Sequence, residues 1–377
     1  MFRIKSALSA VVCISLILCS ASCGKKADVE KKTETTQSST TVTSAETKAT
    51  TTKKTETTKA KEEAPKETKK KENFNILTGK NDVSKSAAGK RPVAIMINNI
   101  SASLPQYGIY DADVMFECPV EGGITRMMAL YADYTKVPDV CSVRSCRYYF
   151  AYFASSFDAV YLHWGIDKYI AANKLETLAI DHIDGEYNSA LFKRDPNRVG
   201  AYSTEHTGYC DGSEIPAQIK ASGIRSELTE SSNKAAFSFT DKFKKLSDEA
   251  ATKVNIQFSN SYYSTFTYDE KSKTYKKQHN GSKHMDSAAN KQLAYTNVIV
   301  LASNDIKVIK NDNGLLSLDW KGGYGYCFSA GTVRKITWSK ESEKGRLVLK
   351  TTDGKELKIN SGKTYIGVTK AKTTSYS

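Results

Sequence analysis

The chain has 377 residues, with 55 lysines and arginines against 41 acidic residues and a net charge of +14. This length suffices for one large folded domain or two ordinary ones. After the first twenty or so residues no segment is long and apolar enough for a transmembrane helix, so helical membrane spans are not expected in the rest of the chain.

The N-terminus has the pattern of an export signal. Arg3 and Lys5 precede an apolar run over residues 7–18, which is too short to span a bilayer in a mature protein. Ser-Ala-Ser-Cys at 20–23 resembles a bacterial lipobox. We predict a signal peptide over 1–22, lipidation at Cys23 and an extracytoplasmic location on the outer face of the cell membrane. A plain secreted protein is the alternative, and nucleic acid is not an expected partner outside the cell.

Residues 23–73 are rich in Thr, Lys, Glu and Ser and nearly free of apolar side chains. Such a segment cannot bury enough surface to offset its ordering entropy. It is predicted to be a disordered tether with an r.m.s. span of roughly 40 Å, which would hold the folded body near a membrane.

Charge divides the remaining chain into two predicted domains. Residues 74–240 carry a net charge of −3, and residues 241–377 carry +11. The contrast indicates a boundary near Thr240. The basic half would be attracted to anionic lipids or anionic wall polymers, although its lysines are scattered and an ordinary solvated surface is an equal alternative.

The first half alternates predicted strands and helices. Residues 93–97 form a short apolar run typical of a buried strand. Two further strand-like runs, 112–120 and 124–131, flank Glu121-Gly122-Gly123 and predict a β-hairpin. A helix is predicted after Ser145, then a strand over 159–163 and a helix capped by Asp167. The order predicts an α/β N-terminal domain with a mixed sheet.

Candidate ligand-binding residues lie where these predicted elements end. In α/β sheets, ligands bind at the carboxyl ends of strands, where Asn98, Asn99 and His163 fall. Ser145 would be the N-cap of a helix, with Arg144 and Arg147 beside it, and such a terminus suits a phosphate or carboxylate. An internal ion-pair network is the alternative of equal weight, with the three arginines 126, 144 and 147 neutralising Glu117 and Glu121.

A long polar loop over residues 192–209 could fold over the same cleft. It completes the candidate set, which is Asn98, Asn99, Glu117, Glu121, Arg126, Arg144, Ser145, Arg147, His163, Arg194, Glu205 and His206. If the protein is an enzyme, Glu117 or Glu121 would act with His163 or His206. Nearby arginines would keep both carboxylates ionised, which disfavours a general acid. The five histidines show no ligand spacing, so no metal is expected. No cofactor is expected either.

The second half is rich in short strands separated by Gly and Asn turns, and predicts a mostly antiparallel β-rich (α+β) C-terminal domain. Residues 242–252 are predicted to form a connecting helix. The five cysteines of the body match no zinc pattern, and a disulfide between Cys141 and Cys146 stays open.

Several segments together resemble a known family. RPVAIMINN, DADVMFECPVEGGITRMMALY, VRSCRYYF and FDAVYLHWG are similar to the YerB-type lipoproteins of Gram-positive bacteria, which carry the DUF3048 domain. YDEKSKTYKKQHNGSKHMD and GYGYCFSAG are similar to the second domain of that family. The resemblance implies an envelope lipoprotein of two domains, with no assigned catalytic residue and no known substrate.

The combined prediction is a lipid-anchored binding or scaffolding protein with an anion-compatible polar cleft in its N-terminal domain. Its expected partners are the membrane, through the lipid anchor, and an anionic cell-wall polymer, a small anionic ligand or an envelope protein. Two alternatives stay open: a cell-envelope hydrolase or transferase using a Glu/His pair, and a structural protein–protein interaction module.

Overall fold

The computed structural model describes residues 73–309 and 314–377, which belong to one compact unit. The predicted signal peptide, Cys23 and residues 24–72 of the predicted tether lie outside the described residues. None of the helices within the described ranges has the length and apolar character needed to cross a bilayer.

Besides four 3-10 helices of three residues each, the described part of residues 73–240 contains nine strands and three short α-helices. They are β1 (Val93–Asn98), β2 (Val114–Pro119), β3 (Thr125–Tyr131), β4 (Val140–Cys141), α1 (Tyr148–Ser155), β5 (Val160–His163), α2 (Ala171–Thr177), β6 (His182–Asp184), β7 (Phe192–Arg194), β8 (Gly208–Cys210), α3 (Ile215–Ala221) and β9 (Ser238–Phe239).

The described part of residues 241–377 contains sixteen strands. They are β10 (Lys253–Gln257), β11 (Tyr263–Asp269), β12 (Thr274–His279), β13 (Ser282–Lys283), β14 (Met285–Asp286), β15 (Lys291–Gln292), β16 (Ala294–Tyr295), β17 (Asn297–Ser303), β18 (Ile306–Val308), β19 (Leu316–Leu318), β20 (Gly322–Ser329), β21 (Thr332–Ser339), β22 (Val348–Thr351), β23 (Lys358–Ile359), β24 (Thr364–Lys370) and β25 (Thr374–Tyr376).

One mixed sheet of ten strands forms the centre of the molecule, and both halves of the chain contribute to it. Its order is β22-β21-β20-β17-β24-β2-β3-β1-β5-β6. Strand β2 of the first half pairs in parallel with β24 of the second half, from Val114 opposite Thr364 to Glu117 opposite Gly367. The boundary near Thr240 stays a prediction. The backbone hydrogen bonds between β2 and β24 join the two halves within one sheet.

The central strands are buried on both faces, which explains their nearly continuous apolar sequences. On one face Phe116 of β2 stacks against Phe153 of α1, with ring centroids 5.1 Å apart. On the other face a second, antiparallel sheet of the order β13-β12-β11-β10-β25 brings Phe266 against Tyr365, with ring centroids 4.6 Å apart. Alternation along β2 therefore directs Glu117 towards the second sheet, between Phe116 and Cys118 that face α1.

The predicted hairpin is confirmed as the antiparallel pair β2 and β3. Gly122 and Gly123, with φ of +73° and +71°, make the turn between the strands, a conformation that glycine adopts without steric cost. The coarse prediction of a mixed sheet followed by mainly antiparallel strands is also confirmed. The three helices have only seven or eight residues each, so the fold is mostly sheet rather than a full α/β layer structure.

Two local predictions are wrong. Helix α1 begins at Tyr148, with Arg147 rather than Ser145 as the N-cap residue, and no side chain of the described residues caps it. The segment 242–252 forms no helix, because its backbone donors are used elsewhere. Lys244 N donates to Asn360 Oδ1 at 3.0 Å, and Leu246 N donates to Thr332 Oγ1 at 3.1 Å. These bonds to the C-terminal strands replace the bonds of a helix.

Candidate functional site

Arg126 and Arg147 share one carboxylate, that of Glu121 in the β2–β3 turn. Arg147 Nε donates to Glu121 Oε2 at 3.0 Å, and its Nη2 makes a second bond to Oε1. Arg126 Nη2 donates to the same Oε1 at 3.3 Å. Backbone carbonyls fix both guanidinium groups, because Arg126 donates to Ser145 O and Arg147 to Cys146 O, each at 2.7 Å. The single negative charge of Glu121 is therefore shared by the positive charges of Arg126 and Arg147.

These contacts keep the three groups ionised. Burial would raise the pKa of Glu121, but the hydrogen bond from Arg147 and the charges of both arginines lower it overall. Burial would lower the pKa of Arg147, and its hydrogen bond to Glu121 outweighs that effect and raises it. Burial, together with the charge of Arg147, lowers the pKa of Arg126 to about 10, so this group also stays protonated at neutral pH. The cluster carries one excess positive charge.

A cavity of about 440 Å³ lies against this cluster. Its lining residues come from the β2–β3 turn, the segment before α1, the segment after β5 and the segment before β19: Glu121, Ser145, Arg147, Ile166, Asp167, Lys168, Tyr169 and Leu315. Asp167 is engaged by backbone donors, since Ile170 N donates to its Oδ1 at 2.8 Å. The side chain of Tyr169 at the rim is 71% exposed, so the cavity is open to solvent.

The polar loop 192–209 contacts Arg144 and Asn98. Arg144 forms an ion pair with Glu205, and the ring of His206 is hydrogen-bonded to Asn98, with Nδ1 and Nδ2 2.9 Å apart. Arg194 lies over the Trp164 ring, 4.1 Å from its centroid. Five candidate residues from the first half therefore meet through this loop, but none of these five lines the cavity beside Arg147.

Glu117 lies elsewhere, in a fully buried polar network. Its Oε1 accepts from Asn99 Nδ2 at 3.1 Å and from Thr125 Oγ1 at 2.8 Å. Its Oε2 accepts from Ser264 Oγ at 2.9 Å and from Tyr365 OH at 2.7 Å, and Lys277 Nζ is 3.2 Å away. Burial would raise the pKa of Glu117, but Lys277 and the surrounding donors hold it below its usual value. Glu117 is therefore an ionised, enclosed group.

The network continues from Lys277 to the first half of the chain. His284 Nδ1 is 3.0 Å from Lys277 Nζ, and His284 Nε2 is 2.9 Å from Gln106 Oε1. Because Lys277 can only donate, His284 is a neutral ring protonated at Nε2. Gln106 Nε2 then donates to Asn98 O at 2.8 Å. This chain of bonds links the second sheet to the end of β1.

His163 is completely buried at the end of β5. Its Nδ1 lies 2.9 Å from Gly165 O, and its Nε2 lies 3.0 Å from His182 Nδ1. Burial lowers the pKa of His163 to about 4. Strands β3 and β1 separate β5 from the strand of Glu117, a distance of about 14 Å across the sheet. The arrangement does not bring this carboxylate and this imidazole to one reacting position.

Sequence reasoning missed the partners that complete both clusters, chiefly Lys277, Tyr365, Lys168 and Tyr169. One signal for Lys277 existed. In β12 the residues Tyr275, Lys277 and His279 alternate with more exposed ones and are all buried. Within the described ranges, no group of three or more His, Cys, Asp or Glu residues is placed to hold a metal ion.

Comparison with known families matches two domains of one family to the two halves of the chain. The family described as "Protein of unknown function (DUF3048) N-terminal domain" matches residues 77–225, and "Protein of unknown function (DUF3048) C-terminal domain" matches residues 254–366. The chain belongs to this DUF3048 family. Neither description names an activity or a ligand.

Relatives in sequence and structure agree with this assignment. The chain is 28% identical to the "Putative lipoprotein YerB" of Bacillus subtilis (strain 168) over 282 residues, which is 74% of this chain and 81% of the relative. The crystal structure of the YerB protein from Bacillus subtilis superposes with a TM-score of 0.69 at 26% identity, covering 80% of this chain and 98% of that one.

Proposed function

We propose that the protein is an extracytoplasmic lipoprotein, anchored through Cys23, that binds an anionic group in the cavity beside Arg147. The ligand class is a small anion or an anionic segment of a cell-wall polymer. The export signal and the lipobox-like sequence support the anchor, as does the similarity to a relative named as a lipoprotein.

The observation that carries the proposal is the charge balance around the 440 Å³ cavity. Glu121 is shared between Arg126 and Arg147, and Asp167 is engaged by backbone donors. In the lining itself Arg147 and Lys168 balance Glu121 and Asp167, and Arg126, which also binds Glu121, adds one excess positive charge beside this solvent-open hollow. Charge-assisted hydrogen bonds from a fixed guanidinium are the strongest polar contacts that a protein offers to a phosphate or carboxylate.

The geometry also supports a particular kind of ligand. Ser145 offers a hydroxyl group on the same wall, and the exposed ring of Tyr169 offers a flat apolar surface at the rim. A ligand with one anionic group and an adjoining ring or sugar would use all of these features. Arg144, Glu205 and His206 would support the neighbouring loop rather than contact such a ligand.

Isothermal titration with inorganic pyrophosphate tests the proposal. We expect Lys168→Ala and Arg147→Gln each to weaken binding about tenfold or more, because each removes a charge-assisted contact of about 1.5–3 kcal/mol. Lys168 is the cleaner variant, since Arg147 also binds Glu121 and its loss can affect stability.

The matched control is Lys136→Ala, an exposed lysine that lies 3.7 Å from Asp133 and does not line the cavity. It should bind pyrophosphate like the unaltered protein. Equal affinity of Lys168→Ala and the control, with both proteins folded, would contradict the proposed cavity.

A further inference from the structure

A second cavity, of about 370 Å³, lies at the opposite end of helix α1 from Arg147. Ser155 and Ser156 at the end of α1 line it, together with Arg91 before β1 and the loop around Gly345. It is separate from the cavity of the proposed function and belongs to both halves of the chain.

Positive charge dominates this second cavity. Five cationic side chains and two carboxylates line it: Arg91, Arg225, Lys234, Lys344, Arg346, Asp158 and Asp181. Asp158 accepts two bonds from Arg225, at 3.1 and 2.7 Å, and Arg91 binds Asp181 at 2.6 Å. Both carboxylates are thus neutralised by those two arginines.

In the part of the chain that the structure describes, the other three cations have no acidic partner. Among the described residues, neither Lys234 nor Lys344 nor Arg346 lies within ion-pair distance of a carboxylate. Lys344 Nζ donates to Leu178 O at 2.9 Å, and Arg346 Nη2 donates to Ala235 O at 2.6 Å. Carbonyl partners orient these groups and leave their charge unneutralised, which is the arrangement that an anion site needs.

Hydrogen bonds from Lys340 hold the segment that carries Lys344 and Arg346 in place. The buried Lys340 donates to Gly345 O and to Tyr152 O, the latter at 3.1 Å. The two cations therefore flank an anchored residue, so little ordering entropy would be lost when a ligand binds between them.

An apolar groove of about 410 Å³ adjoins the cationic cavity. Lys234, Ala236 and Arg346 line both spaces and form their junction. Beyond the junction the floor is made of apolar side chains, with Glu356 at the edge: Phe237, Phe239, Leu347, Leu349 and Leu357. Charged groups at one end of a continuous apolar groove match a molecule with an anionic head and a hydrocarbon chain.

We propose that this composite site binds an anionic amphiphile, with a phosphate-class head between Lys344, Arg346 and Lys234 and its hydrocarbon chain along the groove. The head alone could come from free phosphate, and the groove is what selects the amphiphile. The inference does not depend on the cavity beside Arg147.

Titration with n-decyl phosphate below its micelle concentration tests the proposal, with inorganic phosphate and n-decyl maltoside as the other arms. We expect n-decyl phosphate to bind at least tenfold more tightly than either, because only it fills both parts of the site. The exposed pair Lys234→Ala and Arg346→Ala, combined in one protein, should weaken its binding about tenfold or more.

A second charge-matched variant, combining Lys136→Ala with Lys283→Ala, controls for the loss of two surface charges outside both cavities. It should bind n-decyl phosphate like the unaltered protein. Equal binding by the two double variants, or equal affinity for inorganic and n-decyl phosphate, overturns the proposal. Pyrophosphate binding sensitive to Lys168→Ala would persist in either event, so the two cavities are tested separately.

Discussion

The carboxylate of Glu117 and the ammonium group of Lys277 form an ion pair of 3.2 Å in the interior, between strand β2 of the first half and β12 of the second. Both side chains are fully buried. Two charges removed from water are stable only when each is paired and hydrogen-bonded. Four neutral donors on Glu117 and the ring of His284 beside Lys277 meet that condition. The pair therefore couples the two halves.

Removing one partner of this pair should be costly. Lys277→Met leaves the Glu117 carboxylate buried without its counter-charge, and we expect the free energy of unfolding to fall by about 3–5 kcal/mol. The double variant with Glu117→Gln removes both charges and should recover about 2 kcal/mol or more of that loss. Urea unfolding followed by tryptophan fluorescence measures both values.

The neighbouring Lys276 provides a matched control in the same strand. Its side chain is 44% exposed and is paired with Asp269. Lys276→Met should change the free energy of unfolding by about 1 kcal/mol or less, as expected for a surface ion pair. A similar cost for Lys276→Met and Lys277→Met would contradict the role assigned to the buried pair.

Glu121 accepts hydrogen bonds from Nε and Nη2 of Arg147, so its negative charge lies close to the place where an anionic ligand would meet this guanidinium. We expect Glu121→Gln to tighten pyrophosphate binding about tenfold, because it removes a competing negative charge close to the proposed ligand position. Glu270→Gln, at an exposed position in the second half, should leave the affinity unchanged. Weaker binding by Glu121→Gln would show that the carboxylate supports the ligand instead of competing with it.

Local sequence patterns were sufficient for the strands around the site. Residues 93–97 are a short apolar run, and they lie in a strand buried on both faces. The Glu121-Gly122-Gly123 turn between two strand-like runs predicted the pairing of β2 with β3. The arginines around Glu121 left an internal ion-pair network as one of two equal alternatives. Arg126 and Arg147 do share Glu121, whereas Arg144 pairs with Glu205 and Glu117 pairs with Lys277.

Local sequence patterns could not predict which strands pair when they are far apart in the sequence. Strand β24, near the C-terminus, lies between β2 and β17, and nothing in its own sequence marks a parallel partner about 250 residues earlier. Lys277 was missed for the same reason. A lysine within a strand is expected on the solvent side. Its place on the same strand face as Tyr275 and His279 was the one local signal, and the position of Glu117 on the facing sheet explains why the charge is buried.

The cysteines give a test of burial. Cys118, Cys141, Cys146, Cys210 and Cys327 are all buried and form no disulfide within the described ranges. Burial raises their thiol pKa values, to about 11 for Cys141 and about 12 for Cys146. At pH 8 these thiolate fractions should lie at least about a hundredfold below that of an ordinary thiol. Iodoacetamide labelling with peptide mass spectrometry should therefore modify them in urea but hardly in the native protein. Rapid native labelling of Cys141 would show that its strand opens.

His279 should make the protein sensitive to acid. Burial and the charge of Lys277 lower its pKa from 6.5 to about 4. Between pH 6.5 and 4 the unfolded chain binds a proton here that the folded protein does not. Stability is therefore lost as pH falls through this window, by up to about 3 kcal/mol.

His279→Phe removes this titration while keeping a ring of similar shape. Neither ring nitrogen of His279 has a hydrogen-bond partner among the described residues, so the substitution breaks no polar contact. Between pH 7 and pH 4.5 the free energy of unfolding of the His279→Phe variant should fall less than that of the unaltered protein. Urea unfolding at each pH measures both values. The buried His163 titrates in the same window in both proteins and cancels in the comparison. Identical pH slopes would mean that His279 gains its proton in the folded state near its ordinary pKa, which would require water or an anion beside the ring.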